Sequence, residues 1–123
     1  MENVLFEFYR GDTYTRDFIL KGWGLPVSNV YFTVKENPDH KKFCIQKKLN
    51  EGITEVDVTE EGITYNIRIS ATDTDDLKTG VDYTFDIEIH SDMEEELVKK
   101  TLATGILRLK TSSTKTYNEV MKR

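Results

Sequence analysis

The stretch 83-YTFDIEIH-90 alternates without a break. Tyr83, Phe85, Ile87 and Ile89 are apolar, and Thr84, Asp86, Glu88 and His90 between them are polar. Successive side chains of an extended chain point to opposite faces, so this pattern gives one row to a core and the other to water. The aromatic and β-branched residues in it suit a pleated surface. A helix would scatter the same residues around its circumference.

The alternation repeats outward from this segment. Val4, Phe6 and Phe8 alternate with Leu5, Glu7 and Tyr9; Val30, Phe32 and Val34 with Tyr31, Thr33 and Lys35; Ile63, Tyr65, Ile67 and Ile69 with Thr64, Asn66 and Arg68. Weaker strands are expected over 13–20 (Tyr14, Phe18 and Leu20 on one face), over 42–49 (Phe43, Ile45 and Leu49 on one face) and over 53–58. Residues 97–102 and 104–110 read as one long strand bent or bulged at Gly105. Between the strands lie turn signals: Gly11-Asp12, Gly22-Trp23-Gly24 with Pro26, Asn37-Pro38-Asp39, Asn50-Glu51-Gly52, Glu61-Gly62 and Ser91-Asp92. The exception to β-structure is 72-TDTDDLKTG-80, where Thr72 can cap one helical turn and Gly80 can close it. The fold expected is all-β, an antiparallel β-sandwich of about seven to nine strands with one short helical turn near 72–78. Residues 1–112 form a single domain in this reading, and 113–123 a polar C-terminal tail.

The chain has 123 residues and a net charge of −5. It is long enough for one core and too short for two ordinary domains. A duplex-binding protein needs a dominant basic face to displace counterions, and Lys41-Lys42 and Lys47-Lys48 in an acidic chain do not make one, so no nucleic-acid partner is expected. Cys44 is the sole cysteine, which rules out an internal disulfide. The sequence opens with no basic segment leading into a long apolar one, and no apolar run approaches membrane-spanning length; neither a secretory leader nor a membrane partner is expected.

Catalytic chemistry finds little to build on. His40 follows an expected hairpin turn and His90 ends a strand on its polar face, and both read as surface residues. No spaced His/Cys/acid set suggests a transition metal. Asp73, Asp75 and Asp76 resemble a fragment of a calcium loop, but the twelfth position from Asp73 is Thr84 where a bidentate glutamate is needed. Neither a glycine-flanked serine nor a glycine-rich phosphate loop occurs. The expectation is a non-enzyme with no catalytic residue, no metal and no cofactor. Trp23, held between two glycines, is the unusual residue; it either folds back over the core or anchors a partner.

Arg10-Gly11-Asp12 has the letters of an adhesion motif, but it falls between two strands, where Gly11 can take positive φ and Asp12 can fix the turn. From this point the chain resembles a known family. A first strand running into Arg10-Gly11-Asp12-Thr13, then 27-VSNVYFTVKEN-37, 67-IRISATDTDDLKTGVDYTFDIEI-89 and 105-GILRLKTSST-114 are similar to the N-terminal domain of phage baseplate upper proteins and related small prophage tail proteins. Thr72, Asp73, Thr74, Leu77, Gly80, Tyr83, Asp86, Gly105 and Thr114 carry the likeness. The resemblance implies an immunoglobulin-like β-sandwich that is a structural or assembly part of a phage or prophage tail, assembled in the bacterial host cytoplasm and residing in the virion. Its partners would be other tail or baseplate proteins, with a homo-oligomer also possible. Partner contacts are expected at Trp23, Leu25, Asp73, Asp75, Met93 and Tyr117. The alternative is a carbohydrate-binding β-sandwich, with Trp23, Tyr31 and Tyr14 sharing an exposed face.

Overall fold

The computed structural model describes residues 4–111. Eight strands form in chain order: β1 (Val4–Tyr9), β2 (Tyr14–Leu20), β3 (Asn29–Lys35), β4 (Ile45–Leu49), β5 (Gly52–Thr59), β6 (Gly62–Ile69), β7 (Asp82–Asp92) and β8 (Leu97–Lys110). The single helical element is a 3₁₀ turn, η1, at Ala71–Thr74, at the start of the expected 72–78. The fold is all-β, as the alternation requires.

The strands hydrogen-bond in the order β1-β8-β7-β3-β4-β5-β6-β2. This ladder folds over on itself, so that its two end strands, β1 and β2, face each other across the core. The join between β4 and β5 is the narrowest in the ladder, with only Lys48↔Gly52 and Leu49↔Ile53 paired. Rings span the gap between the end strands: Tyr14 of β2 stacks on Phe8 of β1 at 4.4 Å and tilts against Phe6 at 5.4 Å. Phe6 in turn packs on Phe85 at 4.5 Å and on Phe32 at 5.7 Å. Every second residue of β7 (Tyr83, Phe85, Ile87, Ile89) is buried, as are Val30, Phe32 and Val34 of β3. Apolar burial of this kind contributes roughly 25 cal/mol per Å², and close aromatic pairs add about 1 kcal/mol each.

Among the described residues, five of the seven strand pairs are antiparallel; β4 and β5 meet in parallel over two residue pairs around a tight turn, and β1 runs parallel to β8, Val4↔Gly105 through Tyr9↔Lys110. Chain-distant strands are free of the hairpin constraint that forces antiparallel pairing. The long strand forms over Leu97–Lys110 as expected, yet its bulge is not at Gly105. Register slips between Ile87↔Ala103 and Glu88↔Thr101, so the extra residue is Leu102. Gly105 is required for another reason. A Cβ there would lie 2.1 Å from the Val4 carbonyl oxygen and 2.5 Å from the Phe85 ring, so its missing side chain is what lets β1 lie against β8. The expected strand over 42–49 starts only at Ile45, and Phe43 stands exposed in the preceding loop rather than on a core face.

The tripeptide is turn chemistry. Gly11 has φ 90°, and the Asp12 N–H donates to the Tyr9 carbonyl at 3.1 Å. The turn is clasped to η1: the Gly11 N–H donates to Thr74 Oγ1 at 3.0 Å, and Arg10 Nη1 donates to the Leu77 carbonyl at 3.3 Å. Thr74 is fully buried, and its hydroxyl is matched there by that donor.

Candidate functional site

Three surface regions gather side chains that could meet a partner or ligand. The first lies on the outer face of β3 and β7. Alternation puts Asp86, Glu88 and His90 on one row, opposite Thr33, Tyr31 and Asn29 of β3. His90 is half-buried: its Nε2 lies 2.5 Å from Glu88 Oε1, and its ring sits 4.7 Å from that of Tyr31. Burial, reinforced by the Glu88 carboxylate, raises the Asp86 pKa above the usual aspartate range, against the pull of Lys35. These residues, with Lys41, Phe43 and Gln46, line a hollow of about 320 Å³. From the sequence His90 is expected at the surface; the structure half-buries it. Its signal was already in Asp86-x-Glu88-x-His90, three titratable groups two apart on one strand face. His40 sits apart in the exposed turn, where its N–H donates to the Asn37 carbonyl at 3.0 Å. Among the described residues, no group of three or more His, Cys, Asp or Glu is placed to hold a metal ion. Cys44 precedes β4, and partial burial pushes its thiol pKa up, away from nucleophilic thiolate.

The second region is the loop after β2. Trp23 is half-buried against the core, and its indole N–H donates to the fully buried Ser91 hydroxyl at 2.7 Å. Ser28 Oγ accepts from the Asp92 N–H at 2.7 Å, so the loop is pinned to the end of β7, where exposed Met93 follows. Trp23, Leu25, Pro26, Glu60 and Glu61 line a hollow of about 410 Å³. Trp23, Leu25 and Met93 therefore lie toward one end of the sandwich. Asp73 and Asp75 lie at the other, beside η1. Asp75 is exposed, while Asp73 is already engaged: Lys47 Nζ is 2.7 Å from its carboxylate, which also accepts from the Ser70 N–H at 2.7 Å. Burial works to raise the Asp73 pKa, but Lys47 and Ser70 outweigh it and hold the carboxyl below its usual value. Tyr117 lies outside the described residues. The three aromatic residues of the carbohydrate alternative do not share a face: Tyr14 packs on Phe6 and Phe8, Tyr31 on His90, and Trp23 on the core beside Ser91.

The third region is the opening between β1 and β2, which no local pattern of residues foretells. The end strands touch through Tyr14 but diverge below it, leaving a cleft of about 340 Å³ lined by Val4, Phe6, Phe18, Phe85, Ile87 and Ala103. Arg16, exposed on β2, reaches over it: its guanidinium lies 5.1 Å from the Phe6 ring centroid and donates to the Tyr14 hydroxyl at 3.2 Å. Asp17, beside it, is taken up by Asn66 Nδ2 at 2.7 Å.

Set against known proteins, the chain matches no family model and no curated protein sequence.

Proposed function

We propose that this chain is a non-enzymatic structural or assembly protein of a phage or prophage tail, of baseplate type, acting through protein–protein contacts. The observation that carries the reading is the set of open strand edges bearing exposed apolar side chains. β1 presents Leu5 and Tyr9, β5 presents Val56 and Val58, and the start of β8 presents Leu97, all more than 40 % exposed. An open edge offers unpaired N–H and C=O groups to a neighbouring chain, and apolar residues beside it supply the burial that makes such pairing stable. The likeness of 67-IRISATDTDDLKTGVDYTFDIEI-89 to baseplate proteins supplies the tail context. Mass spectrometry of purified phage or prophage-tail particles tests it: the chain is expected at fixed stoichiometry with the other tail proteins. Its recovery only from the soluble host fraction would overturn the proposal.

A second reading, a carbohydrate-binding module, rests on the hollow where Trp23 stands beside Glu60 and Glu61. An aromatic ring with nearby carboxylates suits a sugar's apolar face and its hydroxyls. Binding on a glycan array that disappears in Trp23→Ala would favour it over the assembly reading.

A further inference from the structure

The open strand edges of the sheet are not alike. β2 carries Arg16 turned in over the core opening, and an inward-pointing charge discourages strand addition. β5 is bulged at Val56, between Glu55 and Asp57. The first half of β8, before its pairing with β1 begins at Gly105, carries Lys99 and Lys100. β1 has none of these devices. It is VLFEFY, six residues in regular register, with no proline, no bulge and no inward charge. Its one charged residue, Glu7, is tied to Arg108 at 3.3 Å on the outer face. The unprotected edge also borders the apolar cleft.

The cleft specifies what would fill it. An extended segment paired with β1 would send every second side chain inward. The position level with Phe6 would meet the Arg16 guanidinium, which has no carboxylate partner among the described residues. The positions two residues to either side would meet Tyr14 and the apolar walls. The required pattern is therefore apolar-x-acid-x-apolar. The chain contains it once beyond β8, at Tyr117-Asn118-Glu119-Val120-Met121. We propose that this segment of one copy adds as a strand to β1 of a second copy, with Glu119 paired to Arg16 and with Tyr117 and Met121 covering the cleft. The chain does not leave β8 toward its own cleft. The described end of β8 leans the other way: the Gly80 N–H donates to the Leu109 carbonyl and Thr111 Oγ1 to Thr79 Oγ1, on the β7 side of β8 and away from the open edge of β1.

The inference rests on the assembly reading and names one of its contacts. Light scattering on the full-length chain tests it by charge exchange. The unaltered chain is expected to self-associate. Arg16→Glu and Glu119→Arg are each expected to weaken association roughly tenfold or more, by placing like charges together in the contact. Arg16 is exposed on its strand, so Arg16→Glu does not threaten folding. The double variant is expected to regain association, and so is an equimolar mixture of the two single variants, because each copy's segment then meets an opposite charge on the other. Association of the single variants at the unaltered strength would overturn the proposal. Rescue in the double variant without rescue in the mixture would also overturn it, because the segment would then be filling its own cleft. A monomeric unaltered chain overturns it too, while leaving the particle experiment to decide the assembly reading.

Discussion

At the scale of single residues, what matters most is how little room there is around a few of them. Gly105 is the sharpest case. The β1 backbone and the Phe85 ring both occupy the space a Cβ would need, and neither is the free end of a flexible chain. Gly105→Ala must push β1 off β8 or displace Phe85, which sits among Phe6 and Phe32. The expected loss is about 2 kcal/mol, the range for overpacking a well-filled core. Urea denaturation checks it, with Ala103→Gly as a control for glycine's effect on the unfolded chain. An alanine variant as stable as the parent would show that β1 is held more loosely than these distances imply. The sequence marked Gly105 as special, but for the wrong cause. Glycine in a strand signals either a bulge or a close approach, and a single sequence cannot say which, because the approaching atoms come from Val4, a hundred residues away.

At the scale of elements, short polar contacts hold the pieces that hydrophobic burial alone would leave loose. η1 is four residues long and could not persist by itself. Asp73 secures it, bonding back to Ser70 and across to Lys47 of β4. Its folded-state pKa lies below the ordinary 3.8, so the ionised carboxylate stabilises the fold above that pH, and the contribution is lost as pH falls through the folded value. Asp73→Asn is expected to cost about 1 kcal/mol near neutrality, with the deficit shrinking below about pH 4. Thermal denaturation of both proteins from pH 7 down to pH 2.5 measures this, and a deficit that stays constant across that range would exclude the ion pair as its cause. The strands themselves were legible in the sequence, because alternation is a local property and Tyr83, Phe85, Ile87 and Ile89 announce their face without help. Their ends were not. Phe43 has the composition of a strand residue but falls in the loop before Ile45, since pairing with β3 begins only at Val34↔Ile45. The bulge at Leu102 was equally hidden, being a property of two strands in register rather than of either one.

At the scale of the whole molecule, the fold is a sheet whose ends meet without joining, and its surface is organised by how each open edge is guarded. The cleft between β1 and β2 could not be read from the sequence, because it depends on strand order: β1 joins β8 and β2 joins β6, so two chain-adjacent strands end on opposite layers. The guarding residues, by contrast, were visible but had no apparent purpose until the edges were located. Lys99 and Lys100 illustrate this. They lie on the stretch of β8 that extends beyond β1, next to exposed Leu97 and half-buried Val98. Without their charge, 97–103 would be an open, apolar strand edge of the kind that pairs indiscriminately with other chains. Lys99→Val with Lys100→Val is therefore expected to leave the sandwich folded, since neither lysine is buried, yet to convert a discrete species into open-ended aggregates. Sedimentation and thioflavin fluorescence at matched concentration provide the measurement. The aggregates should form without the Arg16–Glu119 contact, so adding Arg16→Glu should not suppress them. A double-valine variant as soluble as the parent would mean that this edge is guarded by its shape, through the bulge at Leu102, and that the lysines serve a partner instead.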